Sequence, residues 1–292
     1  MSAAGKRAIF AACARNCAPH LPAVLRNIER LSTLFNDCAF VFVENDSTDA
    51  TRTILEQWGT RRRHFHLFKL DGLAARIPQR TVRLEVARNA CTAFIRITPE
   101  LQGYDYLFVL DCDEVTEREI ALPRIARALE FLELQEAHAG VFSNNIGPYN
   151  DMWALRQNPL CPGDVWEEVV DYSLSHDVTD DIAFHETFEK RMLSFDPSRD
   201  PVEVDSAFNG FGIYKMRFVQ RNSNPYLGYK TKAIVRSGQS GIVRMQTCEH
   251  VHHNLGIRSA GGKLFILPYL TLFEGATGKL PLPANAWRSL VF

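Results

Sequence analysis

The stretch Tyr106-Leu107-Phe108-Val109-Leu110-Asp111-Cys112-Asp113 places two carboxylates directly after a short apolar run. Five apolar residues bounded by polar ones have the length of a buried strand. Two carboxylates one residue apart at a strand end can share a hard divalent cation, because the chain turns there and strict alternation of side chains relaxes. The alternative interpretation is an acidic turn after a buried strand, so the surrounding pattern has to decide.

Strand-like and helix-like segments alternate on both sides of this stretch. We predict strands at 7–13, 39–44, 64–70, 106–110, 140–144 and 207–214, and helices at 21–35, 48–58, 79–97 and 122–134. This order predicts an α/β fold with a mostly parallel sheet flanked by helices. In such sheets ligands bind outside the carboxyl ends of the strands, where Asp111 and Asp113 are predicted to lie.

The pattern changes near residue 147, where loops predicted at 147–156, 158–163 and 194–201 begin. We therefore expect one compact domain with a regular half, residues 1–145, and an irregular half, residues 146–292. No internal repeat is present.

Composition excludes several classes of protein. The 33 Lys and Arg residues balance 34 Asp and Glu residues, for a net charge of −1, and 46% of residues are hydrophobic. A disordered tail is less hydrophobic, and a nucleic-acid binder has a basic excess. No apolar run reaches the roughly 18 residues that indicate a membrane span. The seven cysteines include no CxxC pair, which argues against a zinc knuckle and favours reduced thiols in the cytoplasm.

A second polar cluster, residues 44–51, follows the second predicted strand. We assign Glu44 and Asp46 to ligand contact and Thr48 and Thr51 to helix capping, although Ser47 or Asp46 could also cap the helix. Arg15 and Asn16, which follow the first predicted strand, are assigned to the same ligand.

Arginines lie on the helix before the Asp111 strand. Arg80 and Arg88 are eight residues apart, which places them on roughly one helix face, where they could pair with a diphosphate or with the acidic site. Arg83 is equally well explained as a solvated residue paired with Glu85.

Three histidines lie within residues 248–254. Imidazole can complete a divalent-metal shell, and on a strand His250 and His252 would share one face, with His253 on the other. His250 is our candidate metal ligand.

The irregular half offers weaker candidates. Trp153 could stack on a sugar and Asn209 could bond its hydroxyls, with Phe208 equally explained as a core aromatic. Asp151 and Asp205 are acidic groups of the same region.

Taken together these clusters resemble GT-A-fold glycosyltransferases, and among them the cryptococcal mannosyltransferase-like family of capsule α-1,3-mannosyltransferases and bacterial relatives. The blocks that carry the resemblance are residues 43–51, 84–89, 110–113, 149–156, 208–214 and 248–250.

The resemblance implies a GDP- or UDP-linked sugar donor bound by residues 1–145 and a glycan or lipid-linked acceptor bound by residues 146–292, in surface polysaccharide synthesis. It implies Mn²⁺ or Mg²⁺ on Asp111 and Asp113, with a C-terminal histidine in the shell, and it favours retention. An inverting enzyme would need a base, for which Asp151, Asp205 and Glu249 are candidates. The eukaryotic members carry a membrane anchor that is missing here, so a cytoplasmic enzyme, peripheral to the inner membrane, is expected.

Two rival functions remain open. Residues 111–115 also fit the DxDx[TV] signature of haloacid-dehalogenase-type phosphatases, with Asp111 as nucleophile and Asp180-Asp181 as the later acidic pair. That signature normally lies on a first strand, whereas about a hundred residues precede it here. The other rival is a nucleotide- or carbohydrate-binding module without turnover.

Overall fold

The computed structural model describes residues 5–236 and 239–274. The strands of that part are β1 (Arg7–Ala14), β2 (Asp37–Glu44), β3 (Phe65–Lys69), β4 (Tyr106–Asp111), β5 (His138–Ile146), β6 (Val202–Val204), β7 (Phe211–Lys215), β8 (Tyr229–Arg236), β9 (Gln239–Gln246) and β10 (Lys263–Glu274). Its helices are α1 (Leu21–Ser32), α2 (Thr51–Gly59), α3 (Leu73–Arg76), α4 (Arg80–Ile97), α5 (Leu122–Leu134), α6 (Val165–His176), α7 (Asp180–Thr187), α8 (Met216–Arg221) and α9 (Glu249–Ser259).

Eight strands form one sheet in the order β3-β2-β1-β4-β7-β5-β10-β6, and β8 pairs with β9 in a separate hairpin. The pairs β3–β2, β2–β1 and β1–β4 are parallel, so their carboxyl ends lie at one edge of the sheet. There Ala14 of β1 is opposite Glu44, and Cys13 is opposite Asp111. The predicted α/β class with a mostly parallel sheet is therefore confirmed.

Strand β7 lies between β4 and β5 and is antiparallel to both. It comes from the irregular half of the sequence, whereas both its neighbours come from the first 146 residues. The two halves therefore share one sheet, and the edge strand β6 is also antiparallel to its neighbour β10.

Helices cover both faces of the sheet. The apolar residues that predict α1 at helical spacing, namely Leu21, Val24, Leu25, Ile28 and Leu31, are all buried against one face together with α5. Helix α4 covers the other face with Ala87, Cys91 and Ile95. Burial of one apolar stripe per helix is the main stabilising term of such a layered fold.

The predicted elements of the first half are present, most of them with ends shifted by one to a few residues. Helix α2 begins at Thr51 rather than Thr48, because Asp46 and Ser47 bind other groups and neither caps it. Helices α6 and α7, the β8–β9 hairpin and β10 were not predicted.

The strand considered for residues 248–254 is wrong. Those residues enter α9, in which His250, His253 and Ile257 are buried at helical spacing. His250 and His253 therefore share a face, and His252 lies outside it.

In the described part of the chain no helix is both long enough and apolar enough to span a bilayer. All seven cysteines are free thiols.

Candidate active site

A cleft of about 330 Å³ opens at the carboxyl ends of β1, β2 and β4. Its lining combines three guanidinium groups with three carboxylates and two amides. The lining residues are Cys13, Ala14, Arg15, Asn16, Cys17, His20, Asn45, Arg80, Arg83, Leu84, Asp111, Cys112, Asp113 and Glu114. Four residues assigned to ligand binding from the sequence, namely Arg15, Asn16, Arg80 and Asp111, therefore meet in one place, together with Asp113.

Among the described residues, one carboxylate oxygen each of Asp111 and Asp113 has no protein partner. Asp111 Oδ1 accepts from Arg88 at 2.9 Å, and Asp113 Oδ1 accepts from the backbone N–H of Val115 at 3.2 Å. Burial, followed by the charge of Asp111, raises the pKa of Asp113 to about 6. Two neighbouring carboxylates of like charge also attract a cation.

This pair fits a hard divalent cation, because the two oxygens are free and their mutual repulsion would be relieved by Mn²⁺ or Mg²⁺. A third protein ligand is not in place: no three His, Cys, Asp or Glu side chains come together as a metal site within residues 5–236 and 239–274. Such an ion would have to take its remaining ligands from a substrate or water.

His250 is not among the residues that line the cleft. It is 1% exposed, stacks on Phe208 at 3.7 Å between ring centroids and, within the described part of the chain, has no hydrogen-bond partner on either ring nitrogen. Burial and then the charge of Arg88 hold its pKa well below the usual value, so the ring is neutral.

Arg15, Arg80 and Arg83 line the same cleft as the two carboxylates. Burial and then the charges of Arg15 and Arg80 lower the pKa of Arg83. Arg83 donates to the carbonyls of Ile77 and Pro78, and the expected pair with Glu85 does not form. The clustered positive charges make this wall a binding surface for an anion.

Glu44 and Asp46 hold the walls of the cleft in place. The buried Glu44 carboxylate accepts from the backbone N–H of Ser47 at 2.8 Å and from Arg52. Asp46 accepts from the N–H groups of Gly72 and Ala74, each at 2.6 Å. The Glu44 and Asp46 carboxylates, which we expected to contact a ligand, therefore accept hydrogen bonds from the chain itself.

Asn16 also has internal partners. Its Oδ1 accepts from the backbone N–H of Thr48 at 2.8 Å, and its own backbone N–H donates to Ser47 Oγ at 3.1 Å. Thr51, expected to cap α2, instead accepts from the backbone N–H of Cys17 at 2.7 Å. These bonds fix the loop after β1 against the loop after β2.

Arg88 lies beneath the cleft and is 4% exposed. It donates to Asp111 and, through Nε, to Glu249 Oε1 at 2.8 Å. It therefore contacts the acidic site, one of the two partners expected from the sequence.

Asp151 is held beside this site by a tight turn. Its two carboxylate oxygens accept from the backbone N–H groups of Ala154 at 3.1 Å and Asn209 at 3.0 Å. The carbonyl of Gly210 in turn accepts from the backbone N–H of Asp111 at 2.9 Å. Burial raises the pKa of Asp151 to about 6, and the charges of Asp111 and Glu249 contribute. A basic carboxylate therefore lies next to the Asp111 strand.

The remaining acidic and acceptor candidates are placed differently. Asp205 forms a partly exposed ion pair with Arg258, at 3.1 Å. Trp153 packs edge-to-face on Trp166, with ring centroids 6.5 Å apart. Asn209 is 1% exposed and donates to the carbonyl of Ser143 and to Asn145, so its role is inside the turn.

Several cleft residues were missed at the sequence level. His20, Cys13, Cys17, Asn45 and Glu114 all line it. Their place in the sequence could have identified them, because each lies within six residues of the end of β1, β2 or β4. His20 hydrogen-bonds Glu117, which raises the pKa of the imidazole.

The sequence profile of glycosyl transferase family 2 matches residues 10–200, about two thirds of the chain. The chain belongs to glycosyl transferase family 2. The matched region contains the second part of β1, all of β2 to β5 and the whole cleft, so the family assignment covers the site described above. Comparison with curated proteins gives no match.

Solved glycosyltransferases resemble the chain at low identity. TarS residues 1–349 of S. aureus share 10% identity, with a TM-score of 0.47 over 92% of this chain and 60% of that one. The mannosyltransferase PcManGT of Pyrobaculum calidifontis, solved with GDP-Man and Mn²⁺, shares 13% identity. Its TM-score is 0.49, over 97% of this chain and 60% of that one. Glucosyl-3-phosphoglycerate synthase of Mycobacterium tuberculosis, solved in complex with UDP, shares 13% identity. Its TM-score is 0.42, over 95% of this chain and 74% of that one. The chain thus spans about 60% of the length of the first two.

The α/β sheet is consistent with the GT-A fold, in agreement with the family 2 match. The finer resemblance to the cryptococcal mannosyltransferase-like family receives no support from these comparisons.

Proposed function

We propose that this family 2 enzyme transfers a sugar from a UDP- or GDP-linked donor to a glycan or lipid-linked acceptor, with Mn²⁺ or Mg²⁺ bound by Asp111 and Asp113. The observation that carries the proposal is the cleft at the carboxyl ends of β1, β2 and β4, where two carboxylates face a wall of arginines. A diphosphate needs both parts, because its charge is shared between a cation and guanidinium groups.

Arg15 and Arg80 are the residues proposed to bind the donor diphosphate. Arg83 also lines the cleft, but its guanidinium donates to the carbonyls of Ile77 and Pro78. No hydrogen bond or ion pair of this chain occupies the Arg15 or Arg80 side chain among the described residues, so both guanidinium groups are available. A divalent ion at the carboxylates would stabilise the charge of the leaving nucleoside diphosphate. The arginines would stabilise the same charge as the glycosidic bond breaks.

Asp151 is the base that we propose for the acceptor hydroxyl. Its raised pKa makes it a stronger base than an ordinary carboxylate while it stays mostly ionised at neutral pH. Glu249 is buried against Arg88 and Asp205 is paired with Arg258, which leaves Asp151 the best placed of the three candidates. A base at this position favours inversion over the retention that the family resemblance implies. The anomeric configuration of the product, read by NMR, tests this choice.

We propose the cellular compartment of the enzyme from its free cysteines. Seven unpaired thiols suit the reducing cytoplasm. A lipid-linked acceptor would bring the enzyme to the membrane surface as a peripheral protein, and vesicle co-sedimentation measures that association. We place acceptor binding in residues 146–292, beside Asp151.

A thermal-shift screen across UDP-, GDP- and CMP-sugars, each with and without Mn²⁺, tests the proposed donor. We expect one nucleotide to raise the melting temperature only when the ion is present. Failure of every donor to shift the melting temperature would refute the proposal.

The rival functions give different outcomes in the same assays. A transferase releases a nucleoside diphosphate from the donor, a phosphatase releases inorganic phosphate, and a binding module binds the donor without turnover. The structure places the DxD motif on β4, with three parallel strands before it in sequence, and Asp180 and Asp181 at the start of α7. The phosphatase signature normally lies on a first strand, whereas Asp111 ends the fourth strand here.

A further inference from the structure

One guanidinium group joins the carboxylate pair of the cleft to the C-terminal helix. Arg88 on α4 donates from Nη2 to Asp111 Oδ1 at 2.9 Å and from Nε to Glu249 Oε1 at 2.8 Å. Glu249 is the first residue of α9, 138 positions after Asp111 in sequence. The bridge exists only because α4 and α9 pack on the same side of β4.

The surroundings hold this bridge in a single arrangement. The side chains of Arg88 and Glu249 are 4% and 5% exposed, and the ring of Phe208 lies 4.9 Å from the Arg88 guanidinium carbon. A planar guanidinium held by two bonds from different nitrogens and by an aromatic ring has little freedom to turn. Asp111 therefore meets a fixed donor, which orients its free oxygen toward the cleft.

Glu249 also affects the charge that Asp111 presents. Arg88 shares its single positive charge between two carboxylates, so Asp111 is only partly neutralised. Without the Glu249 charge, Arg88 would act on Asp111 alone and weaken its attraction for a cation. Because Arg88 and Glu249 are buried and the Asp111 side chain is 30% exposed, salt screens this effect less than it screens a surface ion pair.

We propose that Glu249 is a positioning residue: through Arg88 it sets the orientation and the available charge of Asp111 for a divalent cation and the donor diphosphate. Glu249 touches neither substrate nor ion in this role. The proposal rests on the proposed function, since it assumes that Asp111 and Asp113 bind the ion.

The test is Mn²⁺ binding to the full chain in the presence of UDP, measured by electron paramagnetic resonance of free Mn²⁺. Glu249→Gln keeps an acceptor for Arg88 Nε and removes the charge. We expect the dissociation constant for Mn²⁺ to rise about tenfold, the lower end of the effect of outer-shell partners. Glu203→Gln is the matched control, because Glu203 forms a surface ion pair with Arg258 at 2.7 Å and should bind Mn²⁺ like the wild type.

Two further variants test the same bridge and decide the question if Glu249→Gln does not fold. Glu249→Asp keeps the charge on a shorter side chain and is expected to bind Mn²⁺ more tightly than Glu249→Gln. Arg88→Lys keeps a positive charge but loses the planar donors that reach two carboxylates, and is expected to weaken Mn²⁺ binding.

Unchanged Mn²⁺ affinity in folded Glu249→Gln or Arg88→Lys would overturn the role of Glu249. Equal losses in Glu249→Asp and Glu249→Gln would overturn the part assigned to charge. A purely structural role would lower the melting temperature and leave the dissociation constant unchanged. If the wild type binds no Mn²⁺ with UDP and none when the measurement is repeated with GDP, the proposed function fails instead.

Discussion

At the scale of single residues, Asp151 has the environment of a base. Its carboxylate is held by two backbone N–H groups and has a pKa raised to about 6 by burial. We expect transfer activity to fall as pH drops below about 6, because the protonated carboxyl cannot accept the proton of the acceptor hydroxyl. The pH profile of kcat/KM measures this.

Substitution of the base gives a second prediction. Asp151→Asn removes the basic oxygen and should lower kcat by about 10²- to 10⁴-fold while donor binding persists. Asp205→Asn is the comparison, since Asp205 pairs with Arg258 and should leave kcat within a few-fold of the wild type. A larger loss from Asp205→Asn than from Asp151→Asn would assign the base to Asp205.

Asp113 makes cation binding depend on pH. Its pKa of about 6 lies above the ordinary value, so protons compete with the cation below that pH. We expect Mn²⁺ with a nucleoside diphosphate to raise the melting temperature more at pH 7.5 than at pH 5.0. Asp113→Asn should abolish the ion-dependent part at both pH values. Asp37→Asn, at the opposite end of β2, should preserve it, and a normal Mn²⁺ response in Asp113→Asn would refute the carboxylate pair.

At the scale of elements, the turn before β7 links the base to the carboxylate pair. Gly210 has φ +77°, and a Cβ there would lie 2.5 Å from Cγ1 of Val115. Gly210→Ala should therefore combine backbone strain with a clash and cost about 2–4 kcal/mol of stability. Activity should fall as well, because the turn contacts Asp111 and Asp151.

Gly261 supplies the matched control for this turn. It has φ +83° but open space around its Cβ direction, so Gly261→Ala carries the strain without the clash. Equal losses of stability in the two alanine variants, measured by urea unfolding, would show that the Val115 contact is unimportant. The variant Gly210→Ala/Val115→Ala should recover part of the loss.

At the scale of the whole molecule, β7 joins the two sequence halves. A fragment of residues 1–145 has β4 and most of β5 but lacks the strand between them. We expect it to remain unfolded, because burying the faces of both strands depends on β7. Circular dichroism and amide hydrogen exchange measure this, and a folded fragment would show that the first half is an independent domain.

The periodic elements could be predicted because their signal is local. Helix α5 was predicted with its observed ends, and β1, β4 and α4 within one residue of theirs. Helix α7 has weak apolar periodicity, and the pairing of β7 with β4 joins residues about a hundred positions apart. Residues 248–254 were misassigned because three histidines in four positions fit a strand and a helix equally well.

The sequence alone determined the α/β class and the carboxylate pair at the end of β4, because apolar runs and strand-end polar groups are encoded by neighbouring residues. It also brought Arg15, Asn16 and Arg80 into the candidate set. Only the tertiary structure decided which charges are free. Glu44, Asp46 and Arg88 have the same chemistry as the cleft residues, but other groups of the chain occupy them. Arg52, eight residues on, donates to Glu44, whereas the partners Gly72 of Asp46 and Glu249 of Arg88 are distant in sequence. A side chain's availability for a ligand depends on which groups folding brings beside it, and neighbouring residues do not encode that.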